Sequence, residues 1–302
     1  MRLGDGPRRR LTAALGAVAL AASGLSACGS SGHAPSASHA TAALKPAHIY
    51  PAPAWLAGAG APQPNGTMWL LVRSPKADNL QALDLSTGKV TGAVGVSTSA
   101  SAVAELSTGV LVLGTAAGRS GSIQLRNGTT GLLARTIPVS GPVRSLAAGA
   151  NGTTLYALVG TSRAESVVIL DTTTAKVIGT VAVSTGSVAL TASPGGSDLY
   201  VLADDGTVDD YPATGGGAVS SFPVGHSGVG IAISPDGTTL YVLKGPAASR
   251  DVAVVDVSTE SVRRALPAPA DAIAISVSAD GTTIYDAVGT PSFGNVQAFD
   301  LG

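Results

Sequence analysis

The sequence predicts an all-β fold: a six-bladed β-propeller of four-stranded blades, with the ring closed by an N-terminal strand, after a signal peptide and a flexible tether. Three observations predict it. A turn-plus-strand unit recurs six times at near-constant spacing, each unit carries four short β-rich segments, and the two ends of the repeat region are incomplete in complementary ways. Self-similarity at such a period marks a repeat architecture, and four short strands per unit make one propeller blade.

Residues 1–27 lie outside that fold. Arg2, Arg8, Arg9 and Arg10 form a basic start, and Leu11 to Leu25 is a short apolar run followed by small residues. This is the layout of a secretory signal, too short for a stop-transfer helix. The stretch RRRL (Arg8 to Leu11) also fits a loose twin-arginine pattern, so the export route stays open. Leu25-Ser26-Ala27-Cys28 resembles a bacterial lipobox, which implies cleavage before Cys28 and lipidation of that residue. Cys28 is the only cysteine, so no internal disulfide forms and stability must come from burial. Residues 28–45 are the tether: Gly, Ser, Ala and Pro with almost no large apolar group bury too little surface to fold. Its reach is roughly 20–25 Å by flexible-chain scaling. His33 and His39 within it have no cysteine or third ligand beside them, so they are read as inert. Cleavage before Cys28 removes four arginines and Asp5, leaving 14 basic against 18 acidic residues. A mildly acidic body excludes a general nucleic-acid surface, which needs clustered positive charge.

The propeller is assigned to residues 46–302. The six turns are centred on Gly66, Gly109, Gly152, Gly196, Gly237 and Gly281, spaced 43, 43, 44, 41 and 44 residues apart. Asp236-Gly237 and Asp280-Gly281 read as hairpin punctuation, with glycine accepting positive φ and the acid bonding its own turn. Asn fills the acid's place in two other units, and Thr and Gly fill it in the remaining two, which no catalytic carboxylate would tolerate. The same logic makes the NGT triplets at Asn65, Asn127 and Asn151 turns rather than glycosylation sites. Tyr156, Tyr200, Tyr241 and Tyr285 fall four residues past their glycines, and Leu70 and Leu113 take that place in the first two units. Third segments end near Asp84, Asn127, Asp171, Asp256 and Asp300. The last unit stops after its third segment. AWLAGAGAPQP (Ala54 to Pro64) can serve as the inner strand of blade 1, and PAHIYPA (Pro46 to Ala52) can supply the missing outer strand of blade 6.

The units ISPDGTTLYVL (Ile233 to Leu243) and VAVVDVST (Val252 to Thr259) resemble the YVTN family of β-propeller repeats, with its Ser-Pro-Asp-Gly turn, Leu-Tyr-Val strand and Ile-Asp strand end. The resemblance covers about Asn65 to Asp300. Blade 2, with Thr-Gly for its turn and Arg126-Asn127 at the strand end, and blade 4, with TVDDYPA, depart most from it. The period also suits Trp-Asp repeats, but that dipeptide is absent.

In a propeller, loops joining strands two to three and four to one form the face on which sites usually lie. Arg73, Lys76, Arg119, Arg163, Lys244 and Arg250 fall there, mixed with Asp78, Glu165, Asp204, Asp205 and Asp251, so a solvated rim is the default. Arg144 is the leading ligand candidate. It stands in an inner strand where later blades hold Val188, Val229 and Ile273. Glu105 similarly replaces an aliphatic or alanine, but four residues further along, about 13 Å by strand geometry, so the two do not pair. His226 is the only histidine of the repeat body and is a weaker ligand candidate, with Arg119 and Arg163. Asp204, Asp205, Asp209 and Asp210 are the candidate metal ligands, although no calcium-loop spacing with a closing Glu accompanies them. No catalytic constellation is recoverable, and no cofactor is implied.

The function expected is that of a lipid-anchored binding module on the outer face of the cytoplasmic membrane. Its partner would be an envelope protein or a cell-wall component. The rival class is a lactonase-like or other hydrolase with a pocket on the loop face. A sugar- or peptidoglycan-binding role would need exposed aromatics, which this composition makes scarce.

Overall fold

A computed structural model describes residues 45–301 apart from Ala54, Pro75, Thr98, Ser162 and Arg163. The segments read as signal peptide and tether (residues 1–44), with Cys28, and the candidate Arg163 therefore lie outside the described residues. Twenty-four strands pair into six four-stranded antiparallel sheets, and no helix occurs among the described residues. Five blades are continuous in sequence. Blade 1, for example, runs Leu56–Ala59, Thr67–Val72, Asp78–Asp84 and Lys89–Val96 from the inside outwards. Blade 6 supplies only Ala272–Val277, Thr283–Thr290 and Phe293–Asp300, and His48–Ala52 pairs with Phe293–Asp300 as the fourth strand. That pairing joins the ends of the ring and covers an edge that would otherwise recruit another chain.

Each sheet packs on its neighbours through both faces, and the alternation of strand residues divides the core into six clusters, one between each pair of adjacent blades. Tyr156 fills the space between blades 3 and 4, Tyr200 that between 4 and 5, and Tyr241 that between 5 and 6. In blade 6, Tyr285 meets Tyr50 of the closing strand in the cluster shared with blade 1. Blades 1 and 2 differ from the register expected. Thr67 pairs with Asp84 and Val110 with Asn127, as Thr154 pairs with Asp171, so Trp69 and Val112 stand where Tyr156 stands. Leu70 and Leu113 are one residue out of step, because these two turns are one residue shorter. One residue of shift reverses the face a side chain points to.

The punctuation reading holds in detail. Gly237 has φ +74, and its five equivalents lie between +71 and +79. The Asp236 carboxylate accepts from the Thr238 backbone N–H at 3.0 Å and from the Ser234 and Thr238 hydroxyls. The Ser234 hydroxyl first, then the Thr238 amide, holds that carboxyl below the usual carboxylate range. The strand-end residues work in the same way one hairpin further on. Asp84, Asn127, Asp171 and Asp256 each accept from amides two and three residues ahead. Asn127 therefore does the job of the aspartates it replaces.

Candidate functional site

The first strand of every blade lines a central cavity of about 330 Å³. Near its start each of these strands carries a bulge, where one residue is skipped in the pairing with the second strand. The bulged residues are Ala57, Ser101, Arg144, Val188, Val229 and Ile273. A bulge re-aims a side chain, and here it places one residue per blade around the mouth on the face of the two-to-three and four-to-one loops. Alignment of the repeats had already grouped Arg144 with Val188, Val229 and Ile273.

Arg144 is not a free cation. Its Nη2 lies 3.2 Å from Oε1 of Glu165, and its Nη1 donates to the Ser187 carbonyl at 3.2 Å. Glu165 in turn accepts from the Ser187 backbone N–H at 2.7 Å. The Glu165 side chain is fully buried, whereas that of Arg144 is 32 % exposed. In the sequence Glu165 stands among the loop acids. The structure makes it the counter-ion, because the strand beginning at Ala164 lays it against the first residue of blade 4. Ser101, the equivalent residue of blade 2, makes a similar stitch to the next blade through its hydroxyl and the Val143 carbonyl, 2.7 Å apart. Arg144 thus braces blades 3 and 4 while its side chain stays partly exposed.

The remaining candidates do not join it. Arg119 occupies an exposed hairpin tip in blade 2, and His226 is exposed between blades 4 and 5. Lys244 pairs with Asp251 at 2.6 Å, and the Arg250 guanidinium donates to the Gly245 carbonyl. The four aspartates of blade 4 do not converge. Asp204 and Asp205 sit in the exposed hairpin, and Asp205 accepts from the Thr207 amide at 2.9 Å. Asp209 and Asp210 are successive strand residues and point to opposite faces. Asp209 is buried and accepts from the Ser184 hydroxyl at 2.7 Å. Burial first, then Asp198 and Glu260, pushes the Asp210 carboxyl up to about 6. Among the described residues no group of three or more His, Cys, Asp or Glu is placed to hold a metal ion. Glu105 lies at the far end of its strand, with its carboxyl pushed up to about 6 by burial.

Two residues that the sequence reading did not single out stand on the same face, where blades 6 and 1 meet. Trp55 is 41 % exposed and Phe293 is 50 % exposed. Trp55 lies two residues before its bulge, where the other blades have Ser99, Pro142, Gly186, Ser227 and Asp271. That contrast is legible once the loops are aligned on the bulge. The nearness of Phe293, far away in sequence, is not.

No protein-family model and no curated protein sequence matches the chain. Among solved structures, the chain is similar to Kuenenia stuttgartiensis hydrazine synthase, with 16 % identity, coverage of 82 % of this chain and 96 % of that one, and a TM-score of 0.58. In all, 1607 solved chains match, so the likeness defines a widely shared fold rather than an activity. The chain is a six-bladed β-propeller.

Proposed function

We propose that this protein is an exported, lipid-anchored propeller of the YVTN type, working as a binding module on the outer face of the cytoplasmic membrane. Its ligand contacts lie on the face that carries Arg144. The observation that carries this reading is the Arg144 side chain at the channel mouth, one third exposed while its guanidinium is fixed by a fully buried carboxylate and a backbone carbonyl. Such a group is pre-ordered for a partner, which lowers the entropy cost of binding. The lipobox-like stretch ending in Cys28 supports the anchor. The chain enters its first strand at His48, opposite Ala298, beside the turns of the other face. The partner of the anchored module is an envelope protein or a cell-wall component, met through the Arg144 face.

Two measurements test this. The anchored chain carries a lipid-sized mass increment at Cys28 and fractionates with membranes, whereas Cys28→Ser is released without the increment. A photo-cross-linker at Arg119 captures a defined envelope partner, and the same group at Leu132, on the opposite rim, does not. Equal capture at both positions would remove the assignment of the face.

A further inference from the structure

The chain has eleven aromatic residues, and nine of them are buried or half-buried in the spaces between blades. The two exposed ones, Trp55 and Phe293, come from opposite ends of the propeller and stand on one face where blades 6 and 1 adjoin. The Trp55 amide donates to the Thr290 carbonyl at 2.9 Å, and Thr290 is the strand partner of Phe293 across the hairpin. The Arg73 amide donates to the Trp55 carbonyl at 2.8 Å, so an arginine adjoins the pair. The Arg73 guanidinium reaches the Ala100 carbonyl through Nη2 at 3.3 Å and is otherwise on the surface. Lys76 is exposed in the same loop, and the acid of that loop, Asp78, is buried at 2 % exposure. Half-buried Asp271, whose carbonyl accepts from the Gly289 amide, is the other acid nearby, so the exposed charges of this corner are the two cations Arg73 and Lys76.

Trp55 is also held in a costly conformation. Its φ is +68, in the left-handed region that bulky side chains avoid. The turn itself asks for that conformation: Gly186, Ser227 and Asp271 stand at the equivalent place with φ of +86, +57 and +58. Where those blades use a small or polar residue, blade 1 uses the largest side chain of all and leaves it in solvent. Packing does not account for an exposed ring at a strained position, and strain of this kind collects where a surface has work to do.

We propose that this corner is a docking platform for an acidic glycan, a sugar polymer bearing carboxylates, with Trp55 and Phe293 packing against sugar rings and Arg73 pairing with a carboxylate. An aromatic face covers the C–H face of a pyranose ring, and a planar guanidinium matches a carboxylate with two donors. Neither ring lines the central cavity, and a small ligand needs enclosure. A projecting platform instead meets the side of a polymer. A lipid surface is the other partner that Trp, Phe, Arg and Lys would suit, but the described chain begins at the opposite face. The choice of an envelope glycan rests on the exported, lipid-anchored reading, and binding to anionic lipid vesicles in place of the glycan would overturn it.

The chain has two tryptophans, and Trp69 is buried at 3 % exposure, so emission from Trp55 reports on the platform. Soluble glycan strands released from peptidoglycan are titrated into the full chain purified in detergent. The expected result is a saturable, salt-sensitive change in tryptophan emission that is absent in Trp55→Ser. Cosedimentation with the same glycan strands coupled to an insoluble resin should weaken about tenfold in Phe293→Ser and in Arg73→Gln, as when one aromatic or charged contact is lost. Trp55→Ser keeps the turn, since Ser227 serves at the same place, and an unchanged melting temperature verifies that the variant is folded. No emission change, or equal cosedimentation of the wild type and the Trp55→Ser/Phe293→Ser double variant, overturns the proposal. So does equal binding to a neutral glycan. The mass of Cys28 is read on the same sample. An unlipidated chain that binds the glycan sinks only the anchor, and a lipidated chain that does not bind sinks only the platform.

Discussion

Asp286 should make this propeller lose stability as pH rises through neutrality. The residue lies in the second strand of blade 6, 1 % exposed, where the other blades hold Leu70, Leu113, Ala157, Val201 and Val242. It faces the core between blades 5 and 6. Gln297, directly opposite on the neighbouring strand, turns its amide to Asn295 at 3.4 Å, and Oδ1 of Asp286 has no hydrogen-bond partner. Burial pushes the carboxyl up to about 7. A carboxyl that keeps its proton more tightly in the folded chain leaves stability intact below the unfolded value near pH 4. That stability is then lost as pH climbs through about 7. A rise of about three units at about 1.4 kcal/mol each amounts to about 4 kcal/mol over the whole window, and about 3 kcal/mol of it falls between pH 5 and 8. Replacement by valine, which blades 4 and 5 already use, removes the titration and keeps the packing. Urea unfolding followed by circular dichroism at pH 5 and pH 8 measures the effect. Asp286→Val should raise stability at pH 8 by about 2–4 kcal/mol and flatten the pH dependence by about 3 kcal/mol. Parallel pH curves for the two proteins, or a variant less stable at pH 8, would refute the reasoning.

The Arg144–Glu165 brace predicts a non-additive pair. Arg144→Leu, which matches the aliphatic residues at the other mouth positions, strands a buried carboxylate and should cost about 2–4 kcal/mol, reduced because Arg144 is partly solvated. Adding Glu165→Gln should recover most of that loss in thermal unfolding, and additive costs would show that the two side chains do not act together. At the repeat turn, Gly237→Ala should cost about 1–2 kcal/mol, because its φ of +74 penalises a Cβ. Asp236→Asn should be within about 0.5 kcal/mol of the wild type, since Asn65 and Asn151 make the same turn bonds, and a larger loss would give Asp236 a role beyond the turn.

The sequence by itself determined the blade count, the roles of the turn residues and the way the ring closes. All three follow from local rules repeated at a fixed period: a glycine that must turn, an acid or amide that bonds its own loop, and strands that alternate. Two departures from the repeat were legible too, Arg144 and Glu105, whereas Asp286 and Trp55 stand out only once the strand pairing and the bulges align the blades. Only the tertiary structure decided what those departures do. Glu165 neutralises Arg144 because two strands of one blade and the first residue of the next converge there, a contact that no spacing announces. The acidic stretch of blade 4 is dispersed because a strand sends Asp209 and Asp210 to opposite faces, whatever their closeness in the chain. Trp55 and Phe293 become neighbours only when the N-terminal strand completes the last blade. A repeat encodes its own geometry locally, while a site is made where different repeats touch, and that meeting is set by ring closure and packing.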